Sequence, residues 1–199
     1  KRFSFEEIFY IQLGNAQRKH DAKEASAYTF LNLDNSLDEF RKHLDFDLRE
    51  KTVLDVGCGD GYDLARLGQK GALIFGIDAS EEMVNLAQQQ NPEGTIRVGA
   101  AEDIPFPDQS FDVVLSKWVF QATSAIDPLY KEIARVLKPG GTLVYLTTHP
   151  IRQFLEKKQS PRDYFKKEEV TLTFFEGKIS EVGTSHTLNT YFSPTFFSH

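Results

Sequence analysis

The sequence predicts an α/β fold, in which a doubly wound, mostly parallel sheet carries helices on both faces. Three observations favour this fold. Short apolar runs typical of buried strands recur along the chain, helix-like segments separate them, and a glycine-rich turn follows the first run. This alternation is typical of parallel βαβ units joined by right-handed crossovers. We expect one domain over residues 1–199, with its core in residues 51–150.

Residues 1–50 precede this core and are predicted to form an N-terminal helical cap. The segment SLDEFRKHLDF supports the prediction because it places Leu37, Phe40 and Leu44 at helical spacing. Ser36 is the candidate N-cap of this helix, and Glu39 follows it at the position of a capping box.

The core contains strand patterns separated by helix patterns. The strand patterns are KTVLDVG, ALIFGID, TIRVGA, FDVVLSKW and TLVYLTTH. The helix patterns are YDLARLGQKG, SEEMVNLAQQQ and DPLYKEIARVL, and KPGG ends the last of them. The second helix has the clearest start, because Ser80 is a good N-cap and Glu81 and Glu82 follow in the first turn.

Composition and charge disfavour several classes of protein. The net charge of −6 argues against a broad nucleic-acid footprint, which needs a clustered basic surface. No apolar run approaches the ~20 residues of a membrane-spanning helix. Cys58 is the single cysteine, so no intrachain disulfide can form, and we expect a cytoplasmic location. The first residues, KRFSFEEIFY, lack the apolar core of a secretory signal, and the missing first methionine leaves open that the sequence begins inside a longer chain.

The turn after the first strand pattern, in VLDVGCGDGYDLARL, is the first candidate for a ligand site. Gly57, Gly59 and Gly61 permit positive φ angles and a close approach of backbone to ligand. Their G-x-G-x-G spacing differs from the G-x-G-x-x-G of dinucleotide-binding turns. Asp55 and Asp60 put negative charge at the mouth of the turn, which disfavours a pyrophosphate and suits a ligand with an amino group and a sulfonium.

The second strand pattern supplies another acid for the same site. Asp78 ends ALIFGID about 20 residues after Gly57, where an acid can accept hydrogen bonds from both hydroxyls of a ribose. Together with the glycine spacing, this acid favours an adenosyl ligand without phosphates.

Four segments in order then resemble a known family. VLDVGCGDG, GIDAS, AEDIPFPDQSFDVVLS and RVLKPGGTLVYLT are similar to the successive motifs of the class I S-adenosylmethionine-dependent methyltransferases, which have a Rossmann-like fold. The small-molecule branch that includes the ubiquinone and menaquinone biosynthesis methyltransferases resembles them most. The resemblance covers residues 50–150 and implies S-adenosylmethionine as cofactor and a small-molecule methyl acceptor.

The resemblance also implies roles for individual residues. The backbone of Gly57, Cys58, Gly59 and Gly61 is expected to wrap the methionine part of the cofactor, and Asp55 to orient this turn and reach the amino group. Asp78 is expected to bind the ribose. The remaining cofactor-binding residues implied are Ala79 and Met83 against the adenine, Ala101 and Glu102 at its polar edge, and Ser116 beside the methionine moiety.

One position departs from the family's pattern. Relatives often carry an acid directly after the glycine of the third strand, where it accepts from the adenine amino group, and this chain has Ala100. Either Glu102 or Asp103 substitutes for it, or backbone groups and packing hold the adenine.

Methyl transfer to a positioned acceptor needs a general base only if the acceptor must lose a proton. We therefore assign no catalytic residue and no metal ligands. His149 is the candidate base, with His20 and His186 as further candidates, and a histidine without a catalytic role is the alternative. The residues that either line an acceptor pocket or pack in the core are Tyr10, Tyr28, Trp118 and Phe120.

Residues 151–199 are predicted to form an insert and an apparently truncated C-terminal segment. VTLTFFEGKISEV is predicted to form two strands around EGK, and HTLNTYF to begin a helix. Relatives usually end with a further helix and an antiparallel strand pair that complete a seven-stranded sheet. Too little sequence remains for both, so we expect an incomplete C-terminal strand pair and an exposed edge on the fifth strand.

Two functions from different classes follow. The first is a small-molecule methyltransferase, and the second is a catalytically weak or inactive binding or regulatory module with the same fold and cofactor. An NAD-dependent oxidoreductase is disfavoured by the glycine spacing. The sequence does not identify the acceptor, the atom methylated or the oligomeric state.

Overall fold

The computed structural model describes residues 6–12, 28–30, 47–148, 150, 163–174, 179–194 and 196. Its main sheet contains β1 (Glu6–Gln12), β2 (Tyr28–Phe30), β3 (Thr52–Val56), β4 (Leu73–Asp78), β5 (Thr95–Val98), β6 (Phe111–Lys117) and β7 (Leu137–Thr148). The strand order is β2-β1-β7-β6-β3-β4-β5. Each neighbouring pair from β7 to β5 is parallel, which confirms the predicted parallel core. The strand order reverses between β3 and β6, the place where ligands bind in such sheets.

Helices cover both faces of this sheet, as predicted. They are α1 (Tyr62–Gln69), α2 (Glu81–Gln90) and α3 (Ile126–Val136), and a short α4 (Leu188–Tyr191) follows near the C-terminus. The Oγ of Ser80 accepts a hydrogen bond from the backbone N–H of Met83 at 3.3 Å, which confirms the predicted N-cap of α2. No helix in the described part of the chain is long and apolar enough to cross a membrane.

The alternation of side chains along the strands divides the core between the two faces. Val114 and Tyr145 lie in a cluster with α3 and Tyr191, whereas their neighbours Leu115 and Val144 lie in a second cluster with Leu67 of α1. Because β6 is buried on both faces, its sequence is a continuous apolar run rather than an alternating one.

The N-terminal segment differs from the predicted helical cap where the structure describes it. Residues 6–12 form β1, which pairs antiparallel with β7 from Glu6↔Thr148 to Gln12↔Thr142, and β2 pairs antiparallel with β1. The segment EEIFYIQ favours a strand because β-branched and aromatic residues fit a pleated surface. The edge of β7 that we expected to be exposed is therefore paired. The helix predicted around Leu37 lies outside the described residues.

The C-terminal region contains the two predicted strands around EGK. They are β8 (Glu169–Phe174) and β9 (Ile179–Thr184), which pair antiparallel as a separate sheet. The predicted helix start in HTLNTYF is α4, where the Thr187 side chain and Thr190 form a capping box. Among the described residues after α4, none lies in a strand.

Candidate functional site

The glycine turn between β3 and α1 lies at the carboxyl end of the sheet and is fixed to the next strand. The backbone N–H groups of Gly57 and Cys58 both donate to the carbonyl oxygen of Ile77, at 2.8 and 2.9 Å. Gly57, Gly59 and Gly61 all have positive φ, at 77°, 54° and 83°. The predicted need for glycine at these three positions is therefore conformational in each case.

Two of these glycines also make room for neighbouring side chains, and the third does not. A Cβ at Gly57 would lie 2.2 Å from a methyl carbon of Val119, and one at Gly61 would lie 2.5 Å from Nδ2 of Asn91. A Cβ at Gly59 would meet nothing within 4 Å. Gly59 thus faces open space at the mouth of the turn, which leaves its backbone accessible to a ligand.

Asp78, at the end of β4, joins this turn through its carboxylate. Its Oδ2 accepts a hydrogen bond from the N–H of Gly59 at 2.9 Å, and its Oδ1 accepts one from the N–H of Ser80 at 2.9 Å. A carboxylate has about four acceptor positions, so two of them remain for further donors. Asp78 is half-buried, and a pair of hydroxyl groups can reach it from the open side of Gly59.

Asp55 is the buried acid of the site. Its side chain is 3% exposed, and its Oδ1 has no hydrogen-bond partner among the described residues. Burial above all, with the charges of Asp63 and Asp78, raises the pKa of the Asp55 carboxyl to about 7, and the charge of Lys117 opposes this shift. Because a buried acceptor without a donor is costly, Asp55 is a natural site for an added cationic donor.

Ser116 is the second buried residue with an unpaired oxygen. Its Oγ lacks a partner in the part of the chain that the structure describes. The register pairs Val56 with Ser116 and Asp55 with Leu115, so the side chains of Asp55 and Ser116 lie on opposite faces of the sheet. The two therefore flank the carboxyl ends of β3 and β6 from either side.

Lys117 and Asp63 belong to the same site, and the sequence analysis missed both. Lys117 ends β6, Asp63 lies in the first turn of α1, and the two form a partly buried ion pair. Residue 117 directly follows the predicted Ser116, so its position at a strand end was a usable signal. Nothing in the sequence indicated that its partner is 54 residues away.

The residues predicted to border the adenine follow β4 and β5. Ala79 is exposed, Met83 is 38% exposed, and Ala101 is half-buried against the core. Glu102 is exposed and accepts a hydrogen bond from the Thr123 hydroxyl. Nothing in these placements tests the predicted contacts with adenine, which stay predictions.

The position that departs from the family's pattern lies in the same loop. The carbonyl oxygen of Ala100 accepts from the backbone N–H of Asp103 at 3.1 Å, so the loop closes on itself here. This hydrogen bond does not test whether Glu102 or Asp103 takes the role of the acid that is absent at position 100, so that role also stays a prediction.

Cys58 is a packed residue within the turn. Its thiol is buried, and burial raises its pKa to about 12, so the thiol stays protonated at neutral pH. A Cβ added to Gly76 of β4 would lie only 3.0 Å from the Sγ atom of Cys58, so the turn packs closely on β4.

The described histidine among the candidate bases is engaged elsewhere. His186 is buried, and its Nε2 lies 2.8 Å from the carbonyl oxygen of Thr123. Burial lowers the pKa of His186, so the ring is neutral near pH 7. This contact ties the C-terminal segment to the loop after β6. His149 and His20 lie outside the described residues.

The aromatic residues proposed for an acceptor pocket have different surroundings. Phe120 is buried and stacks on Tyr145 with ring centroids 4.3 Å apart, which makes it a core residue. Trp118 is half-buried against the core cluster on the α1 face, in a left-handed backbone conformation with φ of 67°. Tyr10 and Tyr28 lie in β1 and β2.

The site thus defines a class of protein: a doubly wound α/β domain with an acidic, glycine-lined ligand site at the switch point of its sheet. The family model described as "Methyltransferase domain" matches residues 54–145 of the chain. The chain is thus similar to a methyltransferase domain over this part of its length, as the sequence motifs predicted.

Two relatives show how much of the chain is similar to known proteins. The chain is 37% identical over 109 residues to the biotin biosynthesis bifunctional protein BioHC of Cellvibrio japonicus, covering 54% of this chain and 22% of that protein. It is 35% identical over 114 residues to demethylmenaquinone methyltransferase of Symbiobacterium thermophilum, covering 52% and 45%. The chain therefore spans less than half the length of these two relatives.

A solved structure extends the similarity beyond the matched core. The crystal structure of a protein assigned as an S-adenosylmethionine-dependent methyltransferase from Listeria monocytogenes superposes with a TM-score of 0.67 at 27% identity. The superposition covers 82% of this chain and 79% of the other.

S-adenosylmethionine is the cofactor that the sequence motifs and the similar solved structures indicate, and the residues present fit it. The orphaned Oδ1 of buried Asp55 suits an ammonium group, and the remaining acceptor positions of Asp78 suit ribose hydroxyls. The open side of Gly59 accommodates a ligand against the backbone. A pyrophosphate would meet two carboxylates here, which explains why the dinucleotide alternative fits poorly.

Proposed function

We propose that this chain transfers the methyl group of S-adenosylmethionine to a small-molecule acceptor. The observation that carries the proposal is the arrangement of Asp55, Gly59 and Asp78: a buried, unpartnered carboxyl oxygen beside an open backbone position that is tied to a second carboxylate. This arrangement supplies acceptors for an ammonium group and for hydroxyl groups, which are the polar ends of that cofactor.

In the proposed reaction the cofactor supplies a methyl group already activated by the positive charge on sulfur. The work left to the protein is binding, orientation and exclusion of water. Asp78 fixes the sugar, Asp55 fixes the amino-acid end, and the backbone of the glycine turn supports the part between them. The acceptor then approaches in line with the bond that breaks, and a base is needed only if it must lose a proton.

The acceptor side is proposed at the carboxyl ends of β6 and β7. Val119 contacts the glycine turn there, and Trp118 precedes it in a strained left-handed conformation of the kind often found at functional sites. The names of the relatives include biotin biosynthesis and demethylmenaquinone, so the shared core is compatible with acceptors of different chemistry. Because the chain has a single, buried cysteine and a net charge of −6, we also propose a cytoplasmic location and no nucleic-acid partner.

The alternative function is a module that binds the cofactor without turnover. Both functions involve binding of S-adenosylmethionine, so only a measurement of methyl transfer to an acceptor distinguishes them. An oxidoreductase that uses NAD is distinguished by ligand choice.

Two measurements test the proposal. Calorimetry with S-adenosylmethionine, S-adenosylhomocysteine and NAD is expected to show binding of the first two ligands only, and binding of NAD alone would overturn the assignment. Incubation with cofactor carrying a labelled methyl group and an extract of small metabolites is expected to label a small molecule. Binding without labelled product in any extract fraction would support the non-catalytic alternative.

A further inference from the structure

The Asp63–Lys117 ion pair is the feature of the site that the proposed function leaves unexplained. Its two side chains are 14% and 28% exposed, so the pair is largely removed from water. A partly buried lysine is expensive unless it is paired, and the pairing here joins the first turn of α1 to the end of β6. Both elements border the glycine turn.

Lys117 and Asp55 lie on the same face of the sheet. Asp55 is paired in register with Leu115, and side chains two residues apart on a strand share a face. Lys117 is also one of the charges that act on the Asp55 carboxyl, together with Asp63 and Asp78. The lysine is therefore a near neighbour of the buried acid.

A bound α-amino acid group, with its ammonium and carboxylate, would give this cluster alternating positive and negative charges. Asp55 is an acceptor without a donor, and Lys117 is a cation held by Asp63. An ammonium group at Asp55 and a carboxylate at Lys117 would place each charge beside its opposite. Neither an ammonium group alone nor a carboxylate alone would do so. The cluster thus fits a zwitterion.

We propose that Lys117 binds the carboxylate of the cofactor's amino-acid end, and that Asp63 holds the lysine in position for this contact. Asp55 and Lys117 then form a two-point site that selects ligands carrying both charges. The inference rests on the proposed function, because the zwitterion it assigns is part of S-adenosylmethionine and of the product S-adenosylhomocysteine.

The test compares ligands with and without the amino-acid end on the full chain. Calorimetry measures binding of S-adenosylhomocysteine and of 5′-methylthioadenosine to the wild type, Lys117→Met and Lys117→Arg. Lys117→Met is expected to weaken the binding of S-adenosylhomocysteine about tenfold or more, because a hydrogen bond between charged groups is lost. It is expected to change the affinity for 5′-methylthioadenosine less than about twofold. Lys117→Arg is expected to retain most of the affinity. Lys131→Met, an exposed substitution on α3, is the control for removal of a lysine charge.

Two results would overturn the inference while leaving the proposed function intact. One is equal weakening of both ligands by Lys117→Met, which would indicate a structural role. The other is unchanged binding of S-adenosylhomocysteine. If the wild type binds neither ligand, both the proposed function and the inference fail.

A second measurement needs no variant and keeps the inference testable if Lys117→Met does not fold. The wild type is expected to bind S-adenosylmethionine about tenfold or more tightly than its decarboxylated analogue, which keeps the amino group and the sulfonium. Equal affinity for the two would contradict a carboxylate contact at Lys117.

Discussion

The backbone N–H of Gly59 donates to Oδ2 of Asp78 at 2.9 Å, so the two strand ends that carry the site are joined by a hydrogen bond to a charged group. Gly59 is also the glycine of the turn that faces open space. The acid that we propose to bind the ribose therefore also holds the turn that we propose to support the methionine part.

This relationship makes Asp78→Ala a variant with two measurable effects. We expect S-adenosylhomocysteine binding to weaken about tenfold or more, because the ribose acceptor and a support of the turn are lost together. We expect a loss of about 1–3 kcal/mol in the free energy of unfolding, from two backbone N–H groups without their acceptor. Calorimetry and urea unfolding measure the two effects. Glu93→Gln, an exposed change after α2, is the control, and wild-type affinity in Asp78→Ala would contradict the ribose role.

Gly59→Ala and Gly61→Ala form a matched pair of substitutions. Gly61→Ala adds a Cβ 2.5 Å from Nδ2 of Asn91 and 2.9 Å from the Cα of Ala87, at a φ of 83°. We expect it to lower the free energy of unfolding by about 2–4 kcal/mol. Gly59→Ala adds a Cβ in open space and is expected to cost about 1–2 kcal/mol from its positive φ alone, but to impair cofactor binding strongly.

Urea unfolding and calorimetry on both variants separate these effects. Binding by Gly59→Ala at the wild-type level would show that the cofactor does not use the open side of the turn.

Arg135 organises the loop that follows β5, and Arg135→Lys tests this role. The guanidinium donates to the carboxylates of Glu132 and Asp108 and to the carbonyl oxygens of Ile104 and Phe106, at 2.7 to 2.9 Å. A lysine cannot reproduce this planar set of donors, so we expect the substitution to destabilise the protein by about 2 kcal/mol.

Thermal and urea unfolding measure this loss, with Lys131→Arg as an exposed control on the same helix. A loss below about 0.5 kcal/mol, the range of ordinary surface changes, would contradict the role.

Asp55 predicts a dependence of stability on pH in the protein without ligand. Burial raises the pKa of Asp55 from 3.8 to about 7, so the folded protein binds this proton more tightly than the unfolded chain does. The stability from this proton is complete below about pH 4 and is lost as the pH rises towards 7. Asp55→Asn removes the titration. We therefore expect the difference in unfolding free energy, Asp55→Asn minus wild type, to increase as the pH rises from about 4 to about 7. A difference that does not change with pH would contradict the raised pKa of Asp55.

The same carboxyl predicts the direction of the pH effect on cofactor binding. An ammonium group beside Asp55 favours the ionised carboxylate, so we expect cofactor binding to be tighter above pH 7 than below it. At or just below pH 7, where the ligand-free carboxyl is still partly protonated, we expect binding to release a proton. Calorimetry of S-adenosylhomocysteine in two buffers of different ionisation enthalpy measures this proton. Proton uptake instead of release would show that Asp55 does not meet a cation in the complex.

The sequence predicted the parallel core well because the signals there are local. The strand patterns carry continuous apolar runs, and the N-cap Ser80 is followed at once by Glu81 and Glu82. Asp55 and Asp78 could be predicted to lie beside the glycine turn because their positions relative to it follow from sequence spacing, and their binding roles stay predictions.

The parts that the sequence did not predict depend on distant partners. The segment EEIFYIQ becomes a strand because β7, more than a hundred residues later, offers it an edge. Lys117 and Asp63 meet only because β6 lies parallel to β3, and the strand order is not encoded in either segment alone. Their ion pair could have been suspected only once the register was known.

The pairing of β1 with β7 has a consequence for the order of events on the ribosome. β1 is synthesised well before its partner, which begins at residue 137, so at roughly 5 to 20 residues per second β1 waits roughly 6 to 25 seconds for a strand edge to pair with. During that interval β1 cannot pair with β7, and the edge of β7 stays uncovered until β1 reaches it. A strand synthesised early is thus among the last to reach its native neighbour, and this late pairing adds non-local contacts that slow folding.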